Sequence, residues 1–385
     1  MQTVWMKKKL IYADHAATTP LMPEALEAML PFMKGDFGNP SSIHSWARKP
    51  REAVREARAT IAECIGAEPE EIFFTSGGTE ADNWAVKGSE GGLLVSAYEH
   101  HAVLNAAAHE AGRGRMVVYA RPTRNGVIGV RQIADAWQKG IGLVSVMTAN
   151  NEIGTVNDVG ALAAEAHSRG ALFHTDAVQA VGHIPIDARK LDVDFLSASA
   201  HKFNGPKGIG FLFVRKGLKL GSLLDGGQQE DGRRAGTENV AAIVGMAAAL
   251  KANCARMTRV GKRLDSLAER LRAELVAAFP DAVFPGAGAP RQLPGFVSVA
   301  LPGRSGEGLV HILDLKGIAV SAGAACDSRN TQVSHVLKAI RLPVRQAKGV
   351  IRISLGAENT LEDVRRIVEA MRLSMPITTD VRESS

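Results

Sequence analysis

The sequence contains few aromatic residues and few cysteines, and both shortages exclude classes of function. Phe, Trp and Tyr make up 5% of the 385 residues, too few to expect a surface that stacks nucleic-acid bases on rings. The three cysteines, Cys64, Cys254 and Cys326, are odd in number and far apart. We therefore expect no disulfide framework, and a reducing compartment, the cytoplasm.

Long apolar runs and clusters of like charge are also missing. No segment has the pattern of a signal sequence or the length of a membrane span, so no membrane partner is expected. The net charge is +6, and the Lys and Arg residues are scattered at helical spacing, which again argues against direct nucleic-acid binding. With 45% hydrophobic and 22% charged residues, the composition is that of an ordinary globular protein.

Short apolar segments alternate with helical patterns from about residue 72 to 214. This alternation predicts an α/β fold in which helices cover both faces of a mainly parallel sheet. After Pro280 the pattern changes to loops rich in glycine and proline, with strands and helices typical of a smaller α+β domain.

The chain is long enough for two domains. We predict a large domain over residues 14–257, and a small domain over residues 258–385 that also includes residues 1–13. A long helix that begins after Asn239 and runs toward Ala278, with or without a break, leads from one to the other.

A lysine between two strand-like runs is the most informative candidate. Lys202 ends the segment Ser199-Ala200-His201-Lys202, which lies between the apolar runs 194–196 and 210–214. An amine held at a strand end can form a Schiff base with a cofactor aldehyde. A solvated lysine in a surface turn is the other interpretation, and this segment alone does not separate the two.

Two further segments suit parts of a cofactor. The turn Ser76-Gly77-Gly78-Thr79 joins a strand to a helix, whose first N–H groups can bind an anion such as phosphate. Asp176 ends a buried strand, where a carboxylate needs a cationic partner. A protonated pyridine nitrogen would be such a partner and would make the ring an electron sink. A buried arginine is the alternative.

Three more residues are candidates for contact with a ligand. His100 can stack on a ring and move protons, because histidine titrates near neutrality. Asn151 can hydrogen-bond a carboxylate or a ring hydroxyl, although an ordinary turn explains it equally well. Cys326 lies among small residues in a loop and is the candidate nucleophile. His100 and His101 are adjacent, but no spacing completes a zinc site, so no metal centre is expected.

Taken together, these motifs resemble those of the cysteine desulfurases of the class V aminotransferase family, the NifS/IscS-like proteins. The resemblance follows the family order from about residue 11 to 356, which is nearly the whole chain. The segments that carry it are 12–20, 39–42, 75–83, 99–100, 151–154, 176–179, 199–202, 232–239 and the loop around Cys326.

The resemblance implies a homodimeric fold-type-I enzyme that uses pyridoxal 5′-phosphate, with a seven-stranded, mainly parallel sheet in its large domain. Lys202 would bind the cofactor covalently, Asp176 would pair with the ring nitrogen and Gln179 with the ring hydroxyl. His100 would stack on the ring. The phosphate would be bound by Gly78, Thr79, Ser199 and His201, and by Thr237 from the other subunit.

The same resemblance implies a reaction and its partners. L-cysteine would bind through its carboxylate to Asn151 and Arg352, since the planar guanidinium can bond both oxygens. Lys202 would move the Cα proton, with His100 in a catalytic role. The Cys326 thiolate would then take the sulfur, leaving L-alanine and a persulfide that passes to an acceptor thiol. The acceptor would belong to iron–sulfur cluster assembly or a thiolation pathway, and Cys326 could transiently ligate a cluster.

Four positions depart from the family pattern: His15, Gln228, Ala324 and Asp327. Two other functions remain open from the sequence. One is a related aminotransferase or selenocysteine lyase without a sulfur-donor role, and the other is a non-catalytic binding protein that keeps the fold. Alanine with a persulfide as products would indicate a desulfurase, and a keto acid would indicate an aminotransferase. The absence of a cofactor absorption band would indicate a non-catalytic protein.

Overall fold

The computed structural model describes residues 10–322 and 333–374. A seven-stranded sheet forms the centre of the larger part of the molecule. Its strands are β2 (Ile72–Thr75), β3 (Gly92–Ser96), β4 (Val117–Ala120), β5 (Ile141–Ser145), β6 (Leu172–Asp176), β7 (Phe195–Ser199) and β8 (Gly210–Val214). They lie in the order β2-β8-β7-β6-β5-β3-β4.

Within this sheet, β8 alone runs against the other strands. β8 pairs antiparallel with both of its neighbours, β2 and β7. The neighbours in the row β7, β6, β5, β3 and β4 all pair parallel with one another. The other six strands therefore end at the same edge, where the polar residues that follow them meet. The predicted α/β fold with a mainly parallel sheet is confirmed.

Helices connect most of these strands and cover the sheet. They are α1 (Pro23–Lys34), α2 (Arg48–Cys64), α3 (Gly78–Gly88), α4 (His101–Gly112), α5 (Val130–Ala136) and α6 (Val159–Ser168). Asp158 begins α6 by accepting a hydrogen bond from the Ala161 amide. Strands β2, β3, β7 and β8 are buried along their whole length, as expected when helices cover both faces of a sheet.

The next helix, α7 (Val240–Ala278), is continuous over 39 residues, so the break that the sequence allowed does not occur. The predicted domain boundary at 257/258 falls inside it. An 18-residue window of α7 is long and apolar enough to cross a membrane by length and composition, with a mean hydropathy of 1.3. Half of that window is buried, and α7 packs against α1 and α2, as the core helix of a globular protein does.

The C-terminal part contains β9 (Phe296–Ala300), α8 (Gly306–Leu315), β10 (Ile318–Ala319), β11 (Ser321–Ala322), α9 (His335–Ala339), α10 (Val344–Ala347), β12 (Val350–Ser354) and α11 (Leu361–Leu373). β11, β12 and β9 form a three-stranded antiparallel sheet. Its apolar core includes Val297, Val299, Ile351 and Ile353, and the second half of α7 packs on it.

The N-terminal segment joins this C-terminal part before it reaches the large sheet. Strand β1 (Ile11–Tyr12) pairs in parallel with β10, and Ile11 and Ala13 are buried in the C-terminal core. Asp14 forms a parallel bridge with Ser354. The chain then passes along the carboxyl edge of the large sheet, which places residues 14–18 between the two parts.

Candidate active site

A cavity of about 540 Å³ opens at the carboxyl edge of the seven-stranded sheet. It collects residues that lie after β2, β3, β5, β6 and β7, together with one arginine from β12. Of the residues that the sequence indicated, its lining contains Gly78, Thr79, His100, Asn151, Asp176, Gln179, Ser199, His201, Lys202 and Arg352. The fold therefore brings together ten side chains or main-chain positions that are far apart in the sequence.

Lys202 lies directly after β7 in a short 3₁₀ turn. Its Nζ atom donates hydrogen bonds to the carbonyl oxygens of Ala16, at 2.7 Å, and Ala17, at 2.8 Å. The N-terminal segment thus holds the amine inside the cavity. This arrangement differs from the solvated lysine of the alternative interpretation.

Asp176 is the last residue of β6 and is 3% exposed. Its Oδ1 atom accepts a hydrogen bond of 2.9 Å from the Val178 amide. Burial raises the pKa of Asp176, while His100 and Lys202 act in the opposite direction. In the described part of the chain no arginine forms an ion pair with it, so the carboxylate is suited to a cationic group of a ligand.

The start of α3 provides an anion site beside Lys202. A Cβ atom on Gly78 would lie 2.6 Å from Cγ2 of Val178. Only glycine lets the main chain come this close. The first N–H groups of a helix lack intrahelical acceptors and carry partial positive charge, so they suit a phosphate.

Both predicted histidines are neutral at pH 7. Burial, and then Lys202 and Lys207, lower the pKa of His201 to about 4, and its Nδ1 atom lies 3.1 Å from Thr18 Oγ1. Burial also lowers the pKa of His100. Nδ1 of His100 accepts a hydrogen bond of 3.1 Å from the Ala102 amide, so the ring proton is assigned to Nε2.

Arg352 closes the cavity from the C-terminal sheet. Nη1 donates to the Asn151 carbonyl oxygen at 2.8 Å, and Nη2 donates to Asp14 Oδ1 at 2.7 Å. The Nε atom is buried without a hydrogen-bond partner within the described ranges. Because Arg352 lines the cavity, its guanidinium offers a cation to a ligand carboxylate.

Two of the predicted contacts are used within the protein itself. Nε2 of Gln179 donates to the carbonyl oxygen of Ala16 at 2.9 Å, the same oxygen that accepts from Lys202. Asn151 contributes its carbonyl oxygen to the arginine. The proposed contacts of Gln179 with a ring hydroxyl, and of the Asn151 amide with a carboxylate, stay predictions.

Thr237 is not in the lining of this cavity. Thr237 lines a neighbouring cavity of about 180 Å³ with Ser76, Gly208 and Asn239. Cys326, like Ala324 and Asp327, lies outside the described residues. Over residues 10–322 and 333–374 no group of three or more His, Cys, Asp or Glu side chains could hold a metal ion.

Sequence reasoning missed two buried carboxyl groups beside the cavity. Asp82 is 1% exposed, and no described group hydrogen-bonds its Oδ1 atom; burial, and then Asp176, raise its pKa. Burial raises the pKa of Glu99 to about 8, while hydrogen bonds from Ser96 and the Met147 amide act to lower it. Asp82 lies four residues after Gly78 in α3. This helical spacing was the available signal that Asp82 lies on the same face of the helix as Gly78.

These groups fit pyridoxal phosphate. The cavity contains an amine that can bond covalently to an aldehyde, a buried carboxylate for a protonated ring nitrogen, and a glycine turn at a helix start for the phosphate. Gly78 and Thr79 at the start of α3 line the same cavity as Lys202 and Asp176, so the phosphate and the ring could occupy one continuous space.

Comparisons with known proteins agree over nearly the whole chain. The family Aminotransferase class-V matches residues 11–367. Cysteine desulfurase IscS of Dictyoglomus turgidum is 43% identical over 383 residues, covering 96% of this chain and 97% of that protein. A solved NifS-like protein is 34% identical with a TM-score of 0.88, covering 95% of this chain and 99% of its own. The structure of SspA in complex with cysteine is 32% identical with a TM-score of 0.78, covering 91% and 100%.

Proposed function

Because the chain belongs to the class-V aminotransferase family, among its NifS/IscS-like cysteine desulfurases, we propose that it passes the sulfur of L-cysteine through Cys326 to an acceptor thiol. The observation that carries this function is the meeting of Lys202, Asp176 and Arg352 in one cavity. An amine, a buried carboxylate and a carboxylate-binding cation are the groups that a pyridoxal-phosphate enzyme acting on an amino acid requires.

The residues of the chain divide the chemical work. Arg352, held by Asp14 and the Asn151 carbonyl, offers a cation to the substrate carboxylate. Lys202 can accept the Cα proton on Nζ once its amine is free. His100, with its proton on Nε2, lies beside them as a neutral donor. When bound, pyridoxal phosphate supplies the electron sink that stabilises the deprotonated Cα.

L-cysteine is the substrate that the relatives support. One relative is named a cysteine desulfurase, and a solved relative is described in complex with cysteine. The net reaction moves one sulfur atom and needs no external oxidant. L-cysteine and the Cys326 thiol give L-alanine and a Cys326 persulfide, as the Cβ–S bond of the substrate breaks and the S–S bond forms.

Replacing Cys326 by alanine tests the sulfur path. We expect formation of sulfane sulfur to fall to background, because the variant has no thiol to take the sulfur, while the absorbance of the bound cofactor is retained. Mass spectrometry after L-cysteine should find one added sulfur atom on Cys326 of the wild type. Cys64→Ala and Cys254→Ala are the controls, since these partly buried thiols lie in α2 and α7.

The proposal fails if Cys326→Ala produces alanine and sulfane sulfur at the wild-type rate. A keto acid as product would instead favour an aminotransferase. The acceptor we propose is a protein with a reactive thiol in iron–sulfur assembly or thiolation. The cytoplasm is our proposed location, because a reducing compartment keeps a thiol such as that of Cys326 reduced, and cell fractionation tests it.

We also propose that the enzyme is a homodimer. An exposed apolar surface formed by α1 and the segment after it supports this, with Leu26, Leu30 and Met33 on one helical face. Phe37 and Trp46 extend this surface with ring centroids 5.6 Å apart, and they are 69% and 62% exposed. A surface of this kind is typical of an interface between protein chains.

Sedimentation equilibrium tests the dimer. The expected mass is twice the 40.9 kDa of one chain. Trp46→Glu should shift the protein toward a single-chain mass, because a charge would replace a buried interface ring. A wild-type mass of 40.9 kDa at micromolar concentration would contradict the dimer.

A further inference from the structure

We propose that Asp14 is a positioning residue for Arg352, and that its charge also limits how tightly the enzyme binds a substrate carboxylate. The carboxylate of Asp14 bonds Nη2 of Arg352 at 2.7 Å. This proposal rests on Arg352 as the group that binds the substrate, as argued above.

The fold holds Asp14 from two sides. Its main chain bridges Ser354 of β12, two residues beyond Arg352 on the same strand. Its Oδ2 atom accepts a hydrogen bond of 2.8 Å from Oγ of Ser321, and Ser321 lies directly opposite Arg352 in the β11–β12 pair. Each carboxylate oxygen therefore has its own partner, so the orientation of the carboxylate is fixed.

This pairing fixes the orientation of the Arg352 guanidinium. Asp14 and the Asn151 carbonyl each occupy one terminal nitrogen of Arg352. With both terminal nitrogens held, the guanidinium keeps one orientation where Arg352 lines the cavity. A substrate carboxylate therefore meets a cation whose direction is already set, which favours one orientation of the amino acid.

Positioning by Asp14 favours binding of the substrate carboxylate, whereas the negative charge of Asp14 weakens it. The Arg352 side chain is 5% exposed, and a buried cation without a counter-ion is strongly unfavourable. Asp14 supplies that counter-ion in the free enzyme. When a substrate carboxylate arrives, it meets a second negative charge across the same guanidinium, and the repulsion weakens binding. Glu152 is a second acidic group near Arg352. Burial raises its pKa to about 7, and Arg352 acts to lower it. It faces Arg352 both in the free enzyme and when substrate is bound, so it does not change the comparison.

Positioning and charge are separated by two substitutions at Asp14. Asp14→Asn keeps an oxygen for Nη2 but removes the charge, so the dissociation constant of L-alanine should fall by about 3- to 10-fold. Asp14→Ala leaves Nη2 without an acceptor and frees the guanidinium, so the dissociation constant should rise by about 10-fold or more. The readout is the change in cofactor absorbance of the holoenzyme on titration with L-alanine, an equilibrium measurement that needs no turnover.

Asp187→Asn is the matched control. It removes the same charge from a surface carboxylate that pairs with Lys190, and the dissociation constant should not change. A second variant, Ser321→Ala, keeps the charge but removes one fixing hydrogen bond, and we expect weaker L-alanine binding, by about 2- to 5-fold.

Opposite shifts for Asp14→Asn and Asp14→Ala support the proposal. If Asp14→Asn leaves the dissociation constant unchanged or raises it, the charge effect is wrong, and this result stands even if Asp14→Ala fails to fold. If Ser321→Ala binds L-alanine as the wild type does, the positioning effect is wrong. Failure of the proposed function would look different, because the wild type itself would then neither bind L-alanine nor release sulfur.

Discussion

Replacing Lys202 by alanine is expected to lower kcat for L-cysteine by about 10³-fold or more. The substitution removes the amine that donates to the carbonyl oxygens of Ala16 and Ala17 in the cavity that also contains Asp176. It removes both the proposed point of covalent attachment of the cofactor and the group that would move the Cα proton. Steady-state production of alanine measures the effect, and circular dichroism checks that the fold is kept.

Lys190→Ala is the control for this experiment, because Lys190 lies on the surface with Asp187. It should keep wild-type kcat. Added methylamine, a small primary amine, could restore part of the activity of Lys202→Ala if the loss is one of proton transfer. A Lys202→Ala enzyme within 10-fold of the wild type in kcat, by contrast, would show that this amine is not catalytic.

Replacing Arg352 by alanine is expected to have the second largest effect, mainly on KM. Hydrogen bonds to charged groups contribute roughly 1.5–3 kcal/mol each, so the loss of the substrate carboxylate's partner should raise KM by about 10- to 100-fold. Arg352→Lys should recover little, because an ammonium cannot bond the Asn151 carbonyl, Asp14 and a substrate carboxylate in the same plane.

Arg365→Ala is the control for Arg352, since Arg365 is an exposed arginine that pairs only loosely with Glu362, at 3.8 Å. Its KM should equal that of the wild type. If Arg352→Ala lowers kcat and leaves KM unchanged, the arginine acts in the chemical step and does not bind the ground-state carboxylate.

The functional residues at the ends of the large-sheet strands could be predicted from the sequence. Asp176 and Lys202 follow short apolar runs, and the ends of parallel strands meet at one edge of a sheet. Gly77 and Gly78 were recognisable because a turn from strand to helix needs them. The family resemblance added Arg352, which no local pattern distinguishes.

The contacts of the N-terminal segment could not be predicted from the sequence. The bond from Lys202 to Ala16, and the pair of Asp14 and Arg352, depend on how residues 11–14 lie beside β10 and β12. Such pairing between distant segments leaves no periodic signal in a two-residue strand. The predicted role of Thr237 would depend on a second subunit, whose contacts a single sequence does not show.

Reduction of the holoenzyme with borohydride, followed by peptide mass mapping, tests the central claim most directly. The reagent fixes an imine between pyridoxal phosphate and a lysine as a stable secondary amine. The account predicts that the pyridoxyl phosphate is found on Lys202 and that the cofactor absorption band disappears. If the pyridoxyl phosphate is found on another lysine, or if the enzyme never acquires the cofactor absorption band, the assignment of this cavity as the active site is contradicted.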